Sequence, residues 1–175
     1  MRFILIFLLP FSCLSQKMFV ENSQVSFFSS APLEDISALS NKLEGVVDFS
    51  SGTFFFRIPI NTFIFPSSLM QKHFNEKYME SETYTISSFK GNFKEKVNIY
   101  ENQLLTIHAD GVLNMHGINK EVSIKTDLLI NNNVPKFSSE FNVILKDFSI
   151  KIPKIVRMNI ADTILVNVSG NLVVK

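Results

Sequence analysis

Apolar and polar residues alternate along most of the chain with a period of two. Between residues 105 and 115, the odd-numbered positions are apolar or small and the even-numbered positions are mostly polar. Residues 118–130, 136–145 and 163–174 repeat the same alternation. This period is typical of β-strands that bury one face and expose the other. The pattern therefore predicts a mainly β protein.

Turn residues separate the alternating segments and predict antiparallel pairing between them. His116 and Gly117 interrupt the first two segments, as expected for a long hairpin. Asn131, Asn132 and Asn133 form the next turn, because asparagine tolerates left-handed backbone angles. These strands are predicted to run to about ten residues or more, whereas about five or six is usual. Since long strands must curl or close to hide their edges, we predict an extended antiparallel β-barrel of about eight strands.

The first third of the chain is predicted to add strands and two short helical segments. Residues 35–40 are predicted to make a short helical turn. Residues 67–78 are predicted to form a helix, because a serine can cap its start and apolar residues recur at helical spacing. Three further strands are predicted at residues 25–29, 44–50 and 53–59.

Residues 1–15, MRFILIFLLPFSCLS, have the layout of a secretory signal peptide. Arg2 supplies a positive charge, an apolar run follows, and small residues precede a cleavage position after Ser15. The apolar run is shorter than the roughly 20 residues that a transmembrane helix needs. We therefore expect no integral membrane span, and a folded domain of residues 16–175 in the periplasm or outside the cell. A buried N-terminal strand is the alternative.

Cys13 is the only cysteine, and it falls within the predicted signal peptide. Its removal would leave a chain without thiols or disulfides, which suits an oxidising compartment. Lipidation of Cys13, as in a bacterial lipoprotein, is the less favoured alternative, because Pro10 stands where such signals usually have leucine.

The charge balance argues against two classes of binding protein. The chain has 17 Lys+Arg and 16 Asp+Glu, which gives a net charge of +1. A nucleic-acid-binding protein needs a basic face to displace counterions from phosphates, and a polybasic membrane-surface module needs a basic cluster. Neither class is expected from this composition.

The sequence shows no constellation for catalysis or metal binding. His73, His108 and His116 are not spaced as metal-ligand pairs, and neither a nucleophile elbow nor a glycine-rich phosphate loop occurs. An enzyme acting on lipids would need polar groups that converge inside the barrel. Strand phase, however, directs His108, Asp110 and His116 outward. We therefore predict no catalytic residue, no metal site and a non-enzymatic role.

Phenylalanine is the unusual feature of the composition, with 18 Phe, 3 Tyr and no Trp. A barrel of about eight strands is just wide enough to be filled by side chains or to hold one ligand. Small inward residues (Ala109, Gly111, Ser139 and Gly170) are expected to leave room beside the rings, and a dry channel suits a long apolar chain. The alternative is a structural or protein-interaction barrel with a filled core and no ligand, since periodicity does not separate the two.

Five parts of the sequence, in this order, share the motifs of one known family. They are LEGVVDF with GTFFF (residues 43–49 and 52–56), MQKHFNEKYMES (70–81), FKG (89–91), DGVLNMHG (110–117) and KDFSI (146–150). Together they resemble the YceI-like family over about residues 19–174. Thr85 stands where that family usually has proline, and Ser149 where it often has glycine.

The resemblance implies a lipocalin-like barrel, secreted to the periplasm, that binds a polyisoprenoid or a similar long-chain lipid such as an isoprenoid quinone. No cofactor is expected apart from such a lipid, and no nucleic-acid partner; a homodimer is left open. The helix at residues 67–78 is expected to cover one end of the barrel. The residues expected to contact the lipid are Phe27, Phe54, Phe56, Leu69, Phe74, Ile86, Phe89, Leu105, Ile107, Leu113 and Phe141.

Overall fold

Nine β-strands make up most of residues 17–175, the part of the chain that this computed structural model describes. The predicted signal peptide, including Cys13, lies outside the described residues. The strands are β1 (Lys17–Ser30), β2 (Asp35–Ser40), β3 (Glu44–Asp48), β4 (Thr53–Pro59), β5 (Ile86–Asn92), β6 (Gln103–Met115), β7 (Ile118–Asn131), β8 (Val134–Ile144) and β9 (Thr163–Val173).

Helical structure is short and lies between strands. Helix α1 (Ser68–His73) begins where the Ser67 side chain accepts a hydrogen bond from the Met70 backbone N–H, and it continues into a π-helical turn, Phe74–Tyr78. This agrees with the helix predicted at residues 67–78. Short 3₁₀ turns lie at Ile60–Thr62, Leu145–Phe148 and Lys154–Val156. No helix within residues 17–175 is long and apolar enough to cross a membrane.

Eight of the strands close into an antiparallel barrel, which confirms the predicted fold. The strand order is β2-β1-β3-β4-β5-β6-β7-β8-β9, and β1 also pairs with β9 to close the ring. Strand β2 is the extra strand beside β1. The register of β1 shifts between Glu21 and Gln24, around Asn22 with φ 49°, so that β1 pairs with β3 at one end and β2 at the other.

Strand β2 corrects the helical turn predicted at residues 35–40. Ile36, Ala38 and Ser40 turn towards the interior, whereas the residues between them are exposed. The whole segment pairs with the last six residues of β1. In a segment of six residues, local propensity does not decide between helix and strand, and pairing with β1 determines the conformation.

Two predicted turns have the backbone that tight hairpins require. His116 and Gly117 both have positive φ angles, of 50° and 73°, between β6 and β7. Asn132 and Asn133 have φ angles of 51° and 62° between β7 and β8. Consecutive positive φ angles match the right-handed twist of the flanking strands, so these turns fix the register of three long strands.

The connections divide unequally between the two ends of the barrel. The end here named the loop end carries residues 31–34, the turn at 116–117 and the two longest connections, residues 60–85 and 145–162. The end here named the turn end carries the β3–β4 and β7–β8 turns together with residues 93–102. The two longest connections therefore lie at the same end of the barrel.

Candidate functional site

The barrel encloses a cavity of about 460 Å³. It extends from Phe49 and Phe93 near the turn end to Val156 and Ile160 at the loop end, and its lining is mostly apolar. Ligand pockets commonly span roughly 300–1,000 Å³, so this cavity is large enough for a small-molecule ligand. We take it as the candidate functional site.

Several side chains that point inward are only half-buried, because they face this open space. Phe56, Phe89 and Phe141 line the cavity on the inward phase of their strands, and so do Val166 and Val168 of β9. In a filled core these large apolar side chains would be fully buried. The alternative of a filled interior therefore does not describe this barrel.

Phenylalanine rings line the cavity from the turn end to its middle. Phe54 lies 4.8 Å from Phe89 and 5.8 Å from Phe56, measured between ring centroids, and Phe56 lies 5.6 Å from Phe137. Phe55, between the two inward rings of β4, points outward and is 41% exposed. The alternation of a β-strand thus places two of the three consecutive phenylalanines inside.

A second aromatic cluster surrounds the cavity at the loop end. Phe74, from the π-helical turn, lies 5.5 Å from Phe27, 5.8 Å from Phe63 and 5.0 Å from Phe65. Phe27 in turn contacts Phe63 and Phe65. These four rings join β1, the connection after β4 and the helical segment. The helix therefore covers this end of the barrel through Phe74.

Polar groups on the cavity lining are already engaged with other protein groups. Thr126 and Ser139 share a hydrogen bond of 2.8 Å between their hydroxyl oxygens, and the Ser87 hydroxyl donates to the Asn114 carbonyl oxygen. The Ser29 hydroxyl oxygen accepts from the Ala161 backbone N–H at 2.9 Å. A ligand along this surface is offered few free hydrogen-bonding groups, which favours hydrocarbon over a polar molecule.

The remaining polar part of the lining lies towards the loop end. Asn159 donates to the Glu34 carboxylate at 3.3 Å, and His73 and Tyr78 reach the lining from the helical segment. Burial raises the pKa of the Tyr78 phenol, so its hydroxyl stays neutral and able to donate. These groups suit the polar end of a ligand whose apolar body lies deeper.

Most of the residues expected to contact a lipid do line the cavity. The exceptions are Leu69, Ile86 and Leu105. Leu105 packs half-buried against the core cluster near the turn end without reaching the cavity surface. The cavity-lining residues are Phe27, Phe54, Phe56, Phe74, Phe89, Ile107, Leu113 and Phe141.

The inward positions predicted for Leu69 and Ile86 are wrong. Leu69 is 60% exposed, because α1 turns Met70 and His73 towards the cavity instead. Ile86 is 41% exposed at the start of β5. Residues three apart in a regular strand face opposite sides, so Phe89 inside requires Ile86 outside.

Several lining residues escaped prediction. Phe49 and Phe93 lie in the connections at the turn end, with their ring centroids 5.9 Å apart. Phe49 falls within the strand predicted at residues 44–50 and shares the phase of the buried Val47, whereas Phe93 belongs to no predicted strand. Val166 and Val168 lie on the inward phase of β9, and this phase is sufficient to predict that they line the cavity. Met70 follows from the spacing of Phe74 one turn later on the same helix.

The histidines do not converge on a catalytic arrangement. His108 is exposed and its Nδ1 lies 2.9 Å from the Glu95 carboxylate. The His116 side chain is only 9% exposed, contrary to the outward position predicted: Nδ1 donates to the Phe148 carbonyl oxygen, and the ring packs on Tyr84. Within residues 17–175 there is no group of three or more His, Cys, Asp or Glu side chains that could hold a metal ion.

Comparison with known protein families matches residues 18–172 to the YceI-like domain. The chain belongs to the YceI-like family. No curated protein matches the sequence. The YceI-like barrel is, however, similar to several solved structures.

Two solved structures resemble the YceI-like barrel over nearly their full length. A polyisoprenoid binding domain from Saccharophagus degradans matches with a TM-score of 0.74 and 12% identity, covering 92% of this chain and 99% of that one. BcnA from Burkholderia cenocepacia matches with a TM-score of 0.72 and 14% identity, covering 87% and 98%. The YceI protein of Campylobacter jejuni matches less closely, with a TM-score of 0.57, 15% identity and coverage of 75% and 81%. At these identities the likeness concerns the fold.

Proposed function

We propose that this YceI-like protein is a non-catalytic binding protein that holds a long apolar lipid, a polyisoprenoid or an isoprenoid quinone, in its barrel. The observation that carries the proposal is the cavity itself, apolar over most of its lining and continuous from the turn end to the loop end. Burial of hydrocarbon there is favourable by about 25 cal/mol per Å² of apolar surface. Membership of the family and the likeness to a polyisoprenoid binding domain support this class of ligand.

The distribution of polar groups gives the bound lipid a direction. The deep part of the cavity, near Phe49 and Phe93, offers rings and aliphatic side chains. His73, Tyr78 and Asn159 lie towards the loop end and have donors for a hydroxyl, phosphate or quinone oxygen. The lipid is therefore expected to lie tail-first, with its polar end at the loop end.

The proposal places the protein in the periplasm or outside the cell, after removal of residues 1–15. The basis is the layout of that segment, with its charge, apolar run and small residues. The mass of the protein recovered after export of the full chain tests it. A mass that retains residues 1–15, or a lipid attached at Cys13, would contradict cleavage near Ser15.

Detergent-free purification followed by solvent extraction and mass spectrometry tests the ligand. We expect one long-chain isoprenoid in stoichiometric amount, and saturable binding of an added fluorescent prenyl probe. Protein that carries no lipid and does not bind the probe would refute the proposal and return the barrel to a structural or interaction role.

Val168→Phe and Asn167→Phe form a matched pair of variants for this assay. Val168 lines the cavity and is half-buried, whereas its neighbour Asn167 faces the outer surface of the same strand. A phenylalanine at position 168 occupies space that the lipid needs, so bound lipid should fall at least about tenfold. Asn167→Phe should leave binding unchanged. Equal binding by the two variants would show that the lipid lies elsewhere.

A further inference from the structure

Three large apolar side chains project into solvent from two adjacent segments of the loop end. Ile155 is 89% exposed, Leu33 70% and Met158 51%. The segments are tied together, because the Leu33 backbone N–H donates to the Met158 carbonyl oxygen at 2.8 Å and Asn159 donates to Glu34. Residues 31–34 and 151–158, here named the apolar rim, therefore form one surface. Clustered apolar exposure of this kind marks a site of interaction.

Three cations lie on the segment that carries Ile155 and Met158. Lys151, Lys154 and Arg157 are exposed on the same segment and make no ion pair with any part of the chain that the structure describes. The rim itself contains one carboxylate, Glu34, which accepts a hydrogen bond from Asn159, and Asp35 and Asp162 lie at the bases of the two loops. The net charge of the whole chain is near zero, but the rim carries three cations against one carboxylate and is therefore locally basic.

The apolar rim is continuous with the cavity. Val156, Asn159 and Ile160 line the cavity from the inner side of the segment that carries Ile155 and Met158 on its outer side. The two outward residues are three apart across a 3₁₀ turn, a spacing that puts them on one side. One thin segment therefore separates the contents of the barrel from whatever contacts the rim.

We propose that the apolar rim docks the barrel, loop end first, onto the surface of an anionic phospholipid membrane. Ile155, Met158 and Leu33 enter the boundary between head groups and acyl chains, and Lys151, Lys154 and Arg157 contact lipid phosphates. The inference rests on the proposed function, since a lipid then passes between bilayer and cavity past Val156 and Ile160 without crossing water. Exposed apolar side chains beside three cations without ion pairs match the acyl-chain boundary and the phosphates of an anionic lipid surface.

Cosedimentation with lipid vesicles tests the docking. Protein purified without detergent from the expressed full chain is mixed with vesicles of phosphatidylcholine, or of phosphatidylcholine and phosphatidylglycerol at about seven to three. We expect binding to the anionic vesicles that weakens as salt is raised, because the phosphate contacts are screened. Ile155→Asp should weaken it at least about tenfold, and each of Lys154→Glu and Arg157→Glu about fivefold or more.

Leu104→Asp is the matched control. Leu104 is 73% exposed, but it lies at the start of β6, near the turn end. This variant should bind anionic vesicles as the unaltered protein does. All of these positions are exposed, so the variants are expected to remain folded, and unchanged thermal unfolding confirms it.

Several outcomes would overturn the docking proposal. These are an absence of vesicle binding by the unaltered protein, full binding by Ile155→Asp, or equal loss in Leu104→Asp. Self-association that Ile155→Asp abolishes, seen by light scattering without vesicles, would assign the rim to a second copy of the chain instead. Binding of the soluble prenyl probe is measured separately, because its failure refutes the lipid-binding function while vesicle binding tests the rim alone.

Discussion

Replacing Phe74 by alanine removes the ring that joins the helical segment to the barrel. The Phe74 ring contacts three other rings, Phe27, Phe63 and Phe65, at centroid distances of 5.0–5.8 Å. It also belongs to the lining of the cavity. The substitution therefore tests two statements at once: that the aromatic cluster holds the helix on the barrel, and that the helix closes the loop end over the ligand.

The structure gives a magnitude for the loss. Each aromatic pair contributes roughly 0.5–1.5 kcal/mol beyond the burial of its area, and Phe74 takes part in three pairs. Truncation of a core phenylalanine to alanine costs about 3–5 kcal/mol. Because Phe74 is only half-buried, we expect the lower end, about 3 kcal/mol in the free energy of unfolding. For a domain of this size that lowers Tm by about 6–12 °C.

Chemical denaturation measures the change in stability, and stopped-flow displacement of a prenyl probe measures release of the ligand. Leu69→Ala in α1 is the control, because Leu69 is 60% exposed and is not among the residues that pack in the cluster of Phe27, Phe63, Phe65 and Phe74. It should change the free energy of unfolding by less than about 0.5 kcal/mol and leave release unchanged. Phe74→Ala should release the probe faster. A loss below about 1 kcal/mol, or equal release rates in the two variants, would refute the reasoning.

Three further predictions concern the frame of the barrel. Gly111→Ala should destabilise it by at least about 2 kcal/mol in urea unfolding, because a Cβ there would overlap the backbone carbonyl oxygen of Lys90 on β5. Ser149→Gly should raise stability by about 0.5–1 kcal/mol, since Ser149 has a φ of 57° after a 3₁₀ turn; no gain would show that this position is unstrained. The hydrogen bond from His108 holds the pKa of Glu95 below its ordinary value, so the carboxylate stabilises the fold above about pH 4.5 and loses that contribution as the pH falls. Glu95→Gln should accordingly flatten the acid side of the curve of unfolding free energy against pH.

The alternation of the long strands carries most of the fold. In the β6–β7 hairpin, Ile107, Leu113, Ile124 and Leu128 all face inward, as their spacing predicts. A slip of one residue would move every one of them to the outer face, so the pattern and the tight turn at residues 116–117 specify the same register. Such agreement between neighbouring signals explains why the phase of the long strands could be predicted.

Short or irregular segments gave the errors. The conformation of residues 35–40 depends on antiparallel pairing with β1, and the chain reverses its direction at residues 31–34 to bring the two segments together. The direction of α1 depends on where Phe74 packs, because Met70, one turn earlier, then faces the cavity and Leu69 does not. Leu69 is exposed for the second of these reasons, whereas Ile86 is exposed because it lies three residues before Phe89 in β5. Phe93 lies in a connection without periodicity, and Phe49 follows the last residue of β3.

The small inward residues show why an open interior cannot be deduced from strand phase. Gly170 makes no room for a ligand, because a Cβ there would lie 2.9 Å from the Phe137 ring, which occupies that space. Gly111 faces Gly91 across β5 and β6 and serves the close approach of two backbones. Ala109 and Ser139, in contrast, line the cavity. A small side chain inside a barrel therefore leaves space only where no ring or strand on the facing side fills it. For this reason a bulky residue should displace lipid when it replaces Ala109, Ser139 or Val168, which line the cavity. At position 170 the Phe137 ring already occupies the space, so no lipid is there to be displaced.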